Sequence, residues 1–259
     1  MPDSPMLDIH GLTKSFGGLT AVRDVTTRFE RGRITAVIGP NGAGKSTFFN
    51  LISGACRPTA GTIRLEGREV AGLRPDQMAR LGVARSFQTT TLFDKASVLD
   101  NLIVGHRLRT TATLWDVLLG TRRHRADERA CRDKAEEVLE FVGLSAAAHR
   151  LAGAISQEER KRLAFALALA TDPKLLLLDE PAGGVNPDET AGLAALIRKM
   201  AASGLTICLI EHKMDMIMSL ADKIVVLDHG EMIAEGTPDV VRRDPRVIEA
   251  YLGVDHAAA

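Results

Sequence analysis

The chain has 259 residues, of which 45% are hydrophobic and 25% charged, as in ordinary globular proteins rather than disordered ones. Lys and Arg number 33, as do Asp and Glu, so the formal net charge is zero. This balance argues against binding to nucleic acid or an anionic membrane through bulk charge. The three cysteines lack CxxC spacing and predict free, buried thiols in a reducing compartment.

Short apolar runs predict seven strands. The earlier runs alternate apolar and polar residues and are linked by turn-rich pieces, which favours a small antiparallel unit. The last three are apolar throughout, as expected for strands covered on both faces of a parallel sheet. The runs lie at residues 6–10, 22–29, 34–38 and 62–65, and then at 175–178, 206–210 and 223–227.

Helical patterns dominate residues 94–170. An i, i+3, i+4, i+7 apolar pattern over residues 135–142 predicts a helix, and Gly143 follows where glycine ends helices. The same spacing recurs over residues 193–200. The basic run 122–125 predicts a solvated loop, because acidic residues follow it directly. The sequence therefore predicts an α/β core interrupted by a mostly helical insert.

No membrane-crossing or secretion segment is expected. The longest uncharged apolar runs are strand-sized, well short of the ~20 residues needed to span a bilayer. The first residues, MPDSPMLDIHGL, have neither the basic region nor the apolar region of a secretion signal.

The strongest motif is GPNGAGKS at residues 39–46, which fits G-x-x-x-x-G-K-[ST] between an apolar strand and a helix-compatible segment. Its glycines let successive N–H groups point at a phosphate chain, and the following helix N-terminus adds partial positive charge. Lys45 is predicted to reach the β- and γ-phosphates, and the Ser46 hydroxyl to bind Mg²⁺. The predicted nucleotide contacts in this segment are Gly39, Pro40, Asn41, Gly42, Ala43, Gly44, Lys45, Ser46 and Thr47.

A second motif lies where the apolar run 175–178 leads into Asp179 and Glu180. Asp179 suits Mg²⁺ binding, directly or through water, and Glu180 is placed to orient and deprotonate a hydrolytic water. Many strands end in aspartate, so this motif is weak alone. Together with the glycine-rich loop it predicts an enzyme that hydrolyses a nucleoside triphosphate.

With these two motifs in place, the chain resembles the nucleotide-binding subunits of ABC transporters from about residue 7 to the C-terminus. The resemblance implies ATP and Mg²⁺ as cofactors. It assigns Phe16 to stacking on adenine, Gln88 to sensing Mg²⁺ and the attacking water, and His212 to the γ-phosphate. The implied catalytic residues are Lys45, Gln88, Glu180 and His212, and the implied metal ligands are Ser46, Gln88 and Asp179.

The same resemblance implies the fold and the partners. The fold is an α/β P-loop NTPase (RecA-like) core with an antiparallel β subdomain and an inserted helical subdomain. One nucleotide-binding domain would span residues 1–259, with the helical insert at 89–160. The implied partners are a second ATP-binding subunit in a head-to-tail dimer, transmembrane permease subunits and, indirectly, a periplasmic binding protein, but no nucleic acid. The implied location is the cytoplasmic face of the inner membrane, as a peripheral subunit.

Longer sequence segments point to one subfamily of these transporters. KSFGGLTAVRDV, GPNGAGKST, DEPAGGVNP and IEHKMD are similar to the longer of the two ATP-binding subunits of branched-chain amino acid importers. Importers of urea and short amides share most of these phrases and remain an alternative. An ABC-type ATPase acting on ribosomes or DNA would need a duplicated cassette, a long charged linker or a coiled-coil insertion, and the sequence contains none of these.

The sequence departs from the family at its signature motif, usually LSGGQ, which corresponds to ISQEE at residues 155–159. Ser156 and Glu159 have capping-box spacing, while Glu158 replaces a glycine whose amide contacts ATP on the opposite subunit. At ~5 Å and an effective dielectric constant of ~20, a carboxylate there costs roughly 3 kcal/mol in ATP binding, a figure that counterions and side-chain rotation reduce. This predicts one competent composite site and a reciprocal site that binds ATP but hydrolyses it poorly. An ATP-binding regulatory subunit with little turnover is the alternative.

Overall fold

Two β-sheets and the helices around them form the molecule, and the computed structural model describes residues 4–86, 92–107 and 121–252. The strands are β1 (Leu7–Phe16), β2 (Leu19–Phe29), β3 (Ile34–Ile38), β4 (Ala60–Leu65), β5 (Arg68–Glu69), β6 (Val83–Ser86), β7 (Leu175–Asp179), β8 (Thr206–Ile210), β9 (Lys223–Asp228) and β10 (Glu231–Gly236). The helices are α1 (Lys45–Ile52), α2 (Pro75–Arg80), α3 (Val98–Arg107), α4 (Arg122–Val142), α5 (Gln157–Leu169), α6 (Pro187–Ala202), α7 (Met214–Leu220), α8 (Pro238–Val241) and α9 (Pro245–Leu252).

The two sheets differ in strand direction. The smaller sheet is antiparallel with the order β2-β1-β4-β5, and the larger has the order β10-β9-β3-β8-β7-β6. In the larger sheet β9, β3, β8, β7 and β6 are parallel, and β10 pairs antiparallel with β9. The predicted antiparallel unit and parallel sheet are therefore confirmed, as are all seven predicted strands. The sequence patterns did not predict β5, β6 or β10.

The parallel sheet separates two hydrophobic cores, one on each face. In β7, Leu176 and Leu178 point into a core shared with the described part of the helical insert and with α6. Leu175 and Leu177 point to the other side, where they join Phe48 of α1 and the antiparallel sheet. Each fully buried leucine contributes about 1.5–3 kcal/mol relative to an exposed one, so a strand without alternation is held from both faces. These cores fix the position of the strand ends that follow.

One local prediction is wrong. The basic run 122–125 does not form a loop, because α4 begins at Arg122. The helix is anchored by its later apolar face, in which Ala135, Val138 and Leu139 are buried. Arginine, alanine and glutamate favour helical backbone, so the helix extends toward its N-terminus beyond that anchor. The predicted helix end is confirmed, since α4 ends at Val142 and Gly143 adopts a φ of +76°.

Helices dominate the described parts of the predicted insert at 89–160. They comprise α3, α4, two short 3₁₀ helices (Ser145–Ala147 and Ala152–Ala154) and the beginning of α5, which continues past residue 160. Among the residues that the structure describes, no helix is both long and apolar enough to cross a bilayer. All three cysteines lie among the described residues and none is in a disulfide; Cys131 and Cys208 are buried and Cys56 is half-buried.

Candidate functional site

The motifs meet at one edge of the larger sheet. Residues 39–44 follow β3, Asp179 ends β7, and Glu211 and His212 follow β8. Parallel strands all present their carboxyl ends at the same edge, and β8 lies between β3 and β7. Residues more than 130 positions apart in sequence are therefore neighbours at this edge.

The loop that follows β3 requires glycine at two positions. Gly39 has a φ of +150°, and a Cβ atom there would lie 2.0 Å from the carbonyl oxygen of Leu227. Gly44 has a φ of +97°, and its Cβ atom would lie 2.3 Å from the carbonyl oxygen of Ala21. Neighbouring backbone thus presses on the loop from two sides. The loop is a tight backbone cradle that a side chain would fill.

The first turn of α1 leaves its amides unclaimed by side chains. Gly44 is the N-cap residue and provides no side-chain hydrogen bond, and the first turn contains no acidic residue. Ser46 is exposed and Thr47 is half-buried in the same turn. A helix has four N–H groups at its start without intrahelical partners, and they favour an anion. This end of α1 is therefore suited to phosphate.

Lys45 is folded back onto the loop. Its side chain is buried, and Nζ donates hydrogen bonds to the carbonyl oxygens of Gly39 at 2.6 Å and of Pro40 at 2.9 Å. Burial lowers the pKa of the Lys45 ammonium, and the nearby Glu180 carboxylate opposes that shift. The cation is thus held over the cradle by weak neutral acceptors, which phosphate oxygens can replace with stronger charge-assisted bonds.

Asp179 lies at the end of β7 and is already ion-paired. Its Oδ2 accepts a hydrogen bond from Nη2 of Arg85 at 2.8 Å, and both side chains are largely buried. Nη1 of Arg85 donates to Oδ1 of Asn50 at 2.6 Å, which connects the pair to α1. Sequence reasoning missed Arg85. The available signal was a basic residue three positions before Gln88.

Glu180 and His212 lie within contact distance. Oε1 of Glu180 is 3.2 Å from Nε2 of His212, and both side chains are partly exposed. Glu180 has a φ of +47°, an uncommon conformation for a residue other than glycine, and its N–H donates to the carbonyl oxygen of Ile210 at 2.9 Å. Backbone strain of this kind concentrates at functional sites. Here it accompanies the carboxylate that faces His212.

A buried carboxylate that sequence reasoning missed organises the segment around His212. The Glu211 side chain is only 3% exposed. Its Oε2 accepts the N–H of Ala182 at 3.1 Å, and its Oε1 accepts the N–H of His212 at 3.1 Å. Glu211 thereby joins the chain just after Glu180 to the start of the His212 segment. The available signal was an acid directly after the apolar strand 206–210.

Of the two remaining predicted site residues, the structure describes Phe16 but not Gln88. Phe16 ends β1 and is 52% exposed, with Nζ of Lys14 at 4.7 Å from the ring centroid. Its ring is accessible for stacking, although a lysine already lies over it. Gln88 lies outside the described residues, so its predicted role has no structural counterpart here.

The signature position is a capped helix end. Ser156 is the N-cap of α5, where its Oγ accepts the Glu159 N–H at 3.1 Å and its N–H donates to Oε2 of Glu159 at 2.7 Å. The predicted capping box is confirmed. The Glu158 carboxylate is ion-paired, because its Oε1 accepts hydrogen bonds from Nη2 and Nε of Arg162 at 2.6 and 2.8 Å. The repulsion of ATP is therefore smaller than that of an isolated charge.

Comparisons with known proteins identify the family. A family profile described as ABC transporter matches residues 22–183. The chain is 43% identical over 250 residues to the high-affinity branched-chain amino acid transport ATP-binding protein BraF of Pseudomonas aeruginosa, which covers 96% of this chain and 98% of that one. The chain belongs to the ABC transporter family. A second profile, branched-chain amino acid ATP-binding cassette transporter, matches residues 231–257 of this ABC protein.

Other ABC proteins extend the comparison to structure. The ATP-binding protein LivG of Escherichia coli is 41% identical over 96% of this chain and 98% of its own. A nucleotide-free ATP-binding cassette of an ABC transporter matches with a TM-score of 0.83 at 30% identity, over 96% of this chain and 99% of that one. A cassette in its ADP conformation matches with a TM-score of 0.85 at 31% identity over the same shares. The predicted α/β P-loop NTPase fold is confirmed.

Because the chain belongs to the ABC transporter family, its general activity follows. The chain is an ATP-binding ABC cassette and an ATPase that energises transport. ABC ATPase subunits dimerise, act with transmembrane permease subunits and associate peripherally with the membrane transporter.

Proposed function

We propose that this ATPase drives import of branched-chain amino acids across the inner membrane. It would act from the cytoplasmic face, with a second ATP-binding subunit, permease subunits and a periplasmic binding protein that delivers the solute. The observation that carries this proposal is the near full-length similarity to BraF and LivG, both named for branched-chain amino acid transport. The profile match at residues 231–257 supports the same solute class.

The residues at the sheet edge fit a Mg²⁺ ion bound together with ATP. Mg²⁺ prefers hard oxygen ligands and is usually held by one or two protein groups together with substrate phosphates. Ser46 offers an exposed hydroxyl at the start of α1, and Asp179 offers a carboxylate at the end of β7. These two residues would hold the ion. When bound, Mg²⁺ would neutralise charge on the β- and γ-phosphate oxygens.

The surrounding side chains can do the rest of the chemistry by position and charge. Lys45 and the loop amides would bind the phosphates, after Lys45 exchanges the carbonyls of Gly39 and Pro40 for phosphate oxygens. Glu180 would accept a proton from the attacking water. His212 would hold both the γ-phosphate and the Glu180 carboxylate in place, consistent with their 3.2 Å contact.

The two composite sites of a head-to-tail dimer would then differ. The site formed by the loop of this chain and the partner's signature motif would use Lys45, Glu180 and His212 from this side. The reciprocal site would face the N-terminus of α5, where Ser156, Glu158 and Glu159 are bonded within the same chain. We propose that the first site hydrolyses ATP rapidly, and that the second binds ATP with little turnover.

A groove between the core and α5 is our proposed contact with a permease. It has a volume of about 450 Å³, and Ser53 of the α1 end, Pro75 of α2, Ala84 of β6 and Leu167 of α5 contribute to its lining. The groove lies between β6, which neighbours the strand that carries Asp179, and the part of α5 beyond residue 160. A permease segment seated there would contact β6 and α5 at once, so a movement of α5 relative to the sheet would be transmitted to the permease.

The proposal is tested by uptake into proteoliposomes that contain the assembled transporter, with its binding protein on the opposite side from this chain. We expect MgATP on this side to drive uptake of labelled leucine, isoleucine or valine. A matched preparation with Glu180→Gln in this chain should bind ATP but show little uptake. Uptake of urea or acetamide in place of leucine would reassign the solute. ATP turnover without any solute uptake would contradict the importer assignment.

A further inference from the structure

The Arg85 side chain connects three elements of the site and has no part in the function proposed above. From β6 it reaches Asp179 on β7, with 2.8 Å between Nη2 and Oδ2. Nη1 donates to Asn50 Oδ1 at 2.6 Å and to Ser53 Oγ at 3.3 Å. Its guanidinium carbon lies 5.8 Å from the centroid of the Phe49 ring. One cation thus joins the strand that carries the aspartate to the helix that follows the phosphate loop.

The Arg85–Asp179 ion pair is buried, and its geometry suits an arginine better than a lysine. The side chains of Arg85 and Asp179 are 11% and 14% exposed, so water screens their charges poorly. A planar guanidinium with several fixed N–H groups can serve Asp179 and Asn50 at once, whereas a lysine ammonium offers a single point charge. The hydrogen bond to Oδ2 restricts rotation of the aspartate carboxylate. Oδ1 is then the oxygen available to a metal ion or its water.

We propose that Arg85 is a positioning residue that orients Asp179 toward Mg²⁺. The inference rests on the proposed role of Asp179 as a metal ligand. In this proposal Arg85 acts through the carboxylate that it holds. Its bond to Asn50 and its contact with Phe49 anchor it to α1, which fixes the side of Asp179 from which it donates. Partners that orient a metal ligand typically change metal affinity by 10–100-fold when removed.

The test measures metal binding directly instead of turnover. The purified full-length chain is titrated with Mn²⁺, followed by electron paramagnetic resonance, in the presence of a non-hydrolysable ATP analogue. For Arg85→Met we expect Mn²⁺ to bind about 10–100-fold more weakly than to the wild-type chain. Affinity for the analogue in EDTA should change by less than about twofold, because the phosphate loop is unaltered. Arg85→Lys should fall between the two, since it keeps the charge but not the fork.

A matched control separates this effect from general loss of an arginine. Arg33 pairs with Asp222 at 3.0 Å on the surface, and Arg33→Met should leave Mn²⁺ affinity unchanged. Thermal unfolding of each nucleotide-free variant reports folding. If Arg85→Met does not fold, Asn50→Ala loosens the anchor while keeping the ion pair and should weaken Mn²⁺ binding measurably.

The outcomes also separate this inference from the function on which it rests. Asp179→Asn should weaken Mn²⁺ binding strongly, and if it does not, the proposed metal ligand itself is wrong. If Asp179→Asn weakens Mn²⁺ binding while Arg85→Met, Arg85→Lys and Asn50→Ala bind it like the wild type, only the positioning role is overturned. Equal weakening of analogue binding with Mn²⁺ and in EDTA would likewise overturn it, since that pattern indicates a structural role alone.

Discussion

The N-termini of α1 and α5 are built in opposite ways. The N-cap of α1 is Gly44, which has a left-handed backbone and no capping side chain, and the first turn contains no acidic residue. The N-cap of α5 is Ser156, which forms a complete capping box, and the first turn contains two glutamates. An anion is therefore favoured at the first helix, whose amides await a partner, and disfavoured at the second, whose own carboxylates already complement the helix dipole.

The charged groups near the two ends differ in the same direction. Lys45 is buried beside the loop, where only carbonyl oxygens accept its hydrogen bonds. Near α5, Arg162 is occupied by Glu158 and by the carbonyl oxygen of Val142. Phosphate can thus replace the acceptors of Lys45 at one end, whereas Arg162 at the other end is already bound to a carboxylate. The contrast predicts two unequal nucleotide sites in the assembled transporter, and substitutions at four positions test it.

The largest effect is expected from Glu180→Gln. Loss of the general base should lower ATP turnover by about 100- to 10,000-fold while ATP still binds, because the loop is unchanged. Phosphate release by the assembled transporter measures the change. The corresponding glutamate-to-glutamine change in the partner subunit is the matched comparison, and it should cost much less. Equal losses from the two variants would argue against unequal sites.

Lys45→Met should weaken ATP binding by roughly 10- to 100-fold, which is the value of a charge-assisted hydrogen bond. Equilibrium binding of a fluorescent ATP analogue to the purified chain measures it. Lys174→Met is a suitable control, since Lys174 bonds to Glu66 on the surface, away from the loop. An unchanged affinity in Lys45→Met would contradict the assignment of the loop.

Without nucleotide, the Lys45→Met variant should also differ from the wild type in how its stability depends on pH. Burial lowers the pKa of Lys45 from its ordinary 10.5, so the unfolded chain holds this proton more tightly than the folded chain. Stability should therefore rise with pH between the lowered pKa of the folded chain and 10.5, the range in which the unfolded chain holds the proton and the folded chain releases it. Urea unfolding at several alkaline pH values should show this rise in the wild type and a smaller one in the variant.

The sequence predicted the parts of the site whose chemistry lies in consecutive residues. The cradle, Ser46 and the Asp179-Glu180 pair are each encoded within a short segment, and their strand context is apolar enough to recognise. Arg85 was missed because its partner lies 94 residues away, and only the pairing of β6 with β7 brings the two together.

Two other outcomes show the limits of local patterns. Glu211 was missed because its acceptor role depends on the N–H of Ala182, which is 29 residues away and close only in the folded sheet. The loop predicted at 122–125 was wrong because a helix anchored by Val138 and Leu139 extends through a polar segment of high helix propensity. Contacts between segments, rather than composition, decided both cases.

Glu158→Gly should raise turnover of the assembled transporter, by up to about fivefold, because a partly exposed ion pair is worth at most ~1 kcal/mol. The gain stays small because the capping box still occupies the helix end. Glu158→Gln removes the charge and keeps the side chain, so comparing the two separates repulsion from blocked access to the amide. A fall in turnover with either variant would indicate that Glu158 assists the reciprocal site.

The smallest effect on turnover is expected from Ser156→Ala. If Ser156 serves only as the cap of α5, its loss costs about 1 kcal/mol of stability, which lowers the melting temperature by roughly 2–4 °C. Turnover should then stay within about twofold of wild type. Ser219→Ala, which removes a hydroxyl that donates to the Met216 carbonyl oxygen of its own helix, controls for loss of a serine. A large drop in turnover at unchanged melting temperature would instead mean that Ser156 contacts phosphate in the partner's site, and the two helix ends would then be functionally alike despite their different construction.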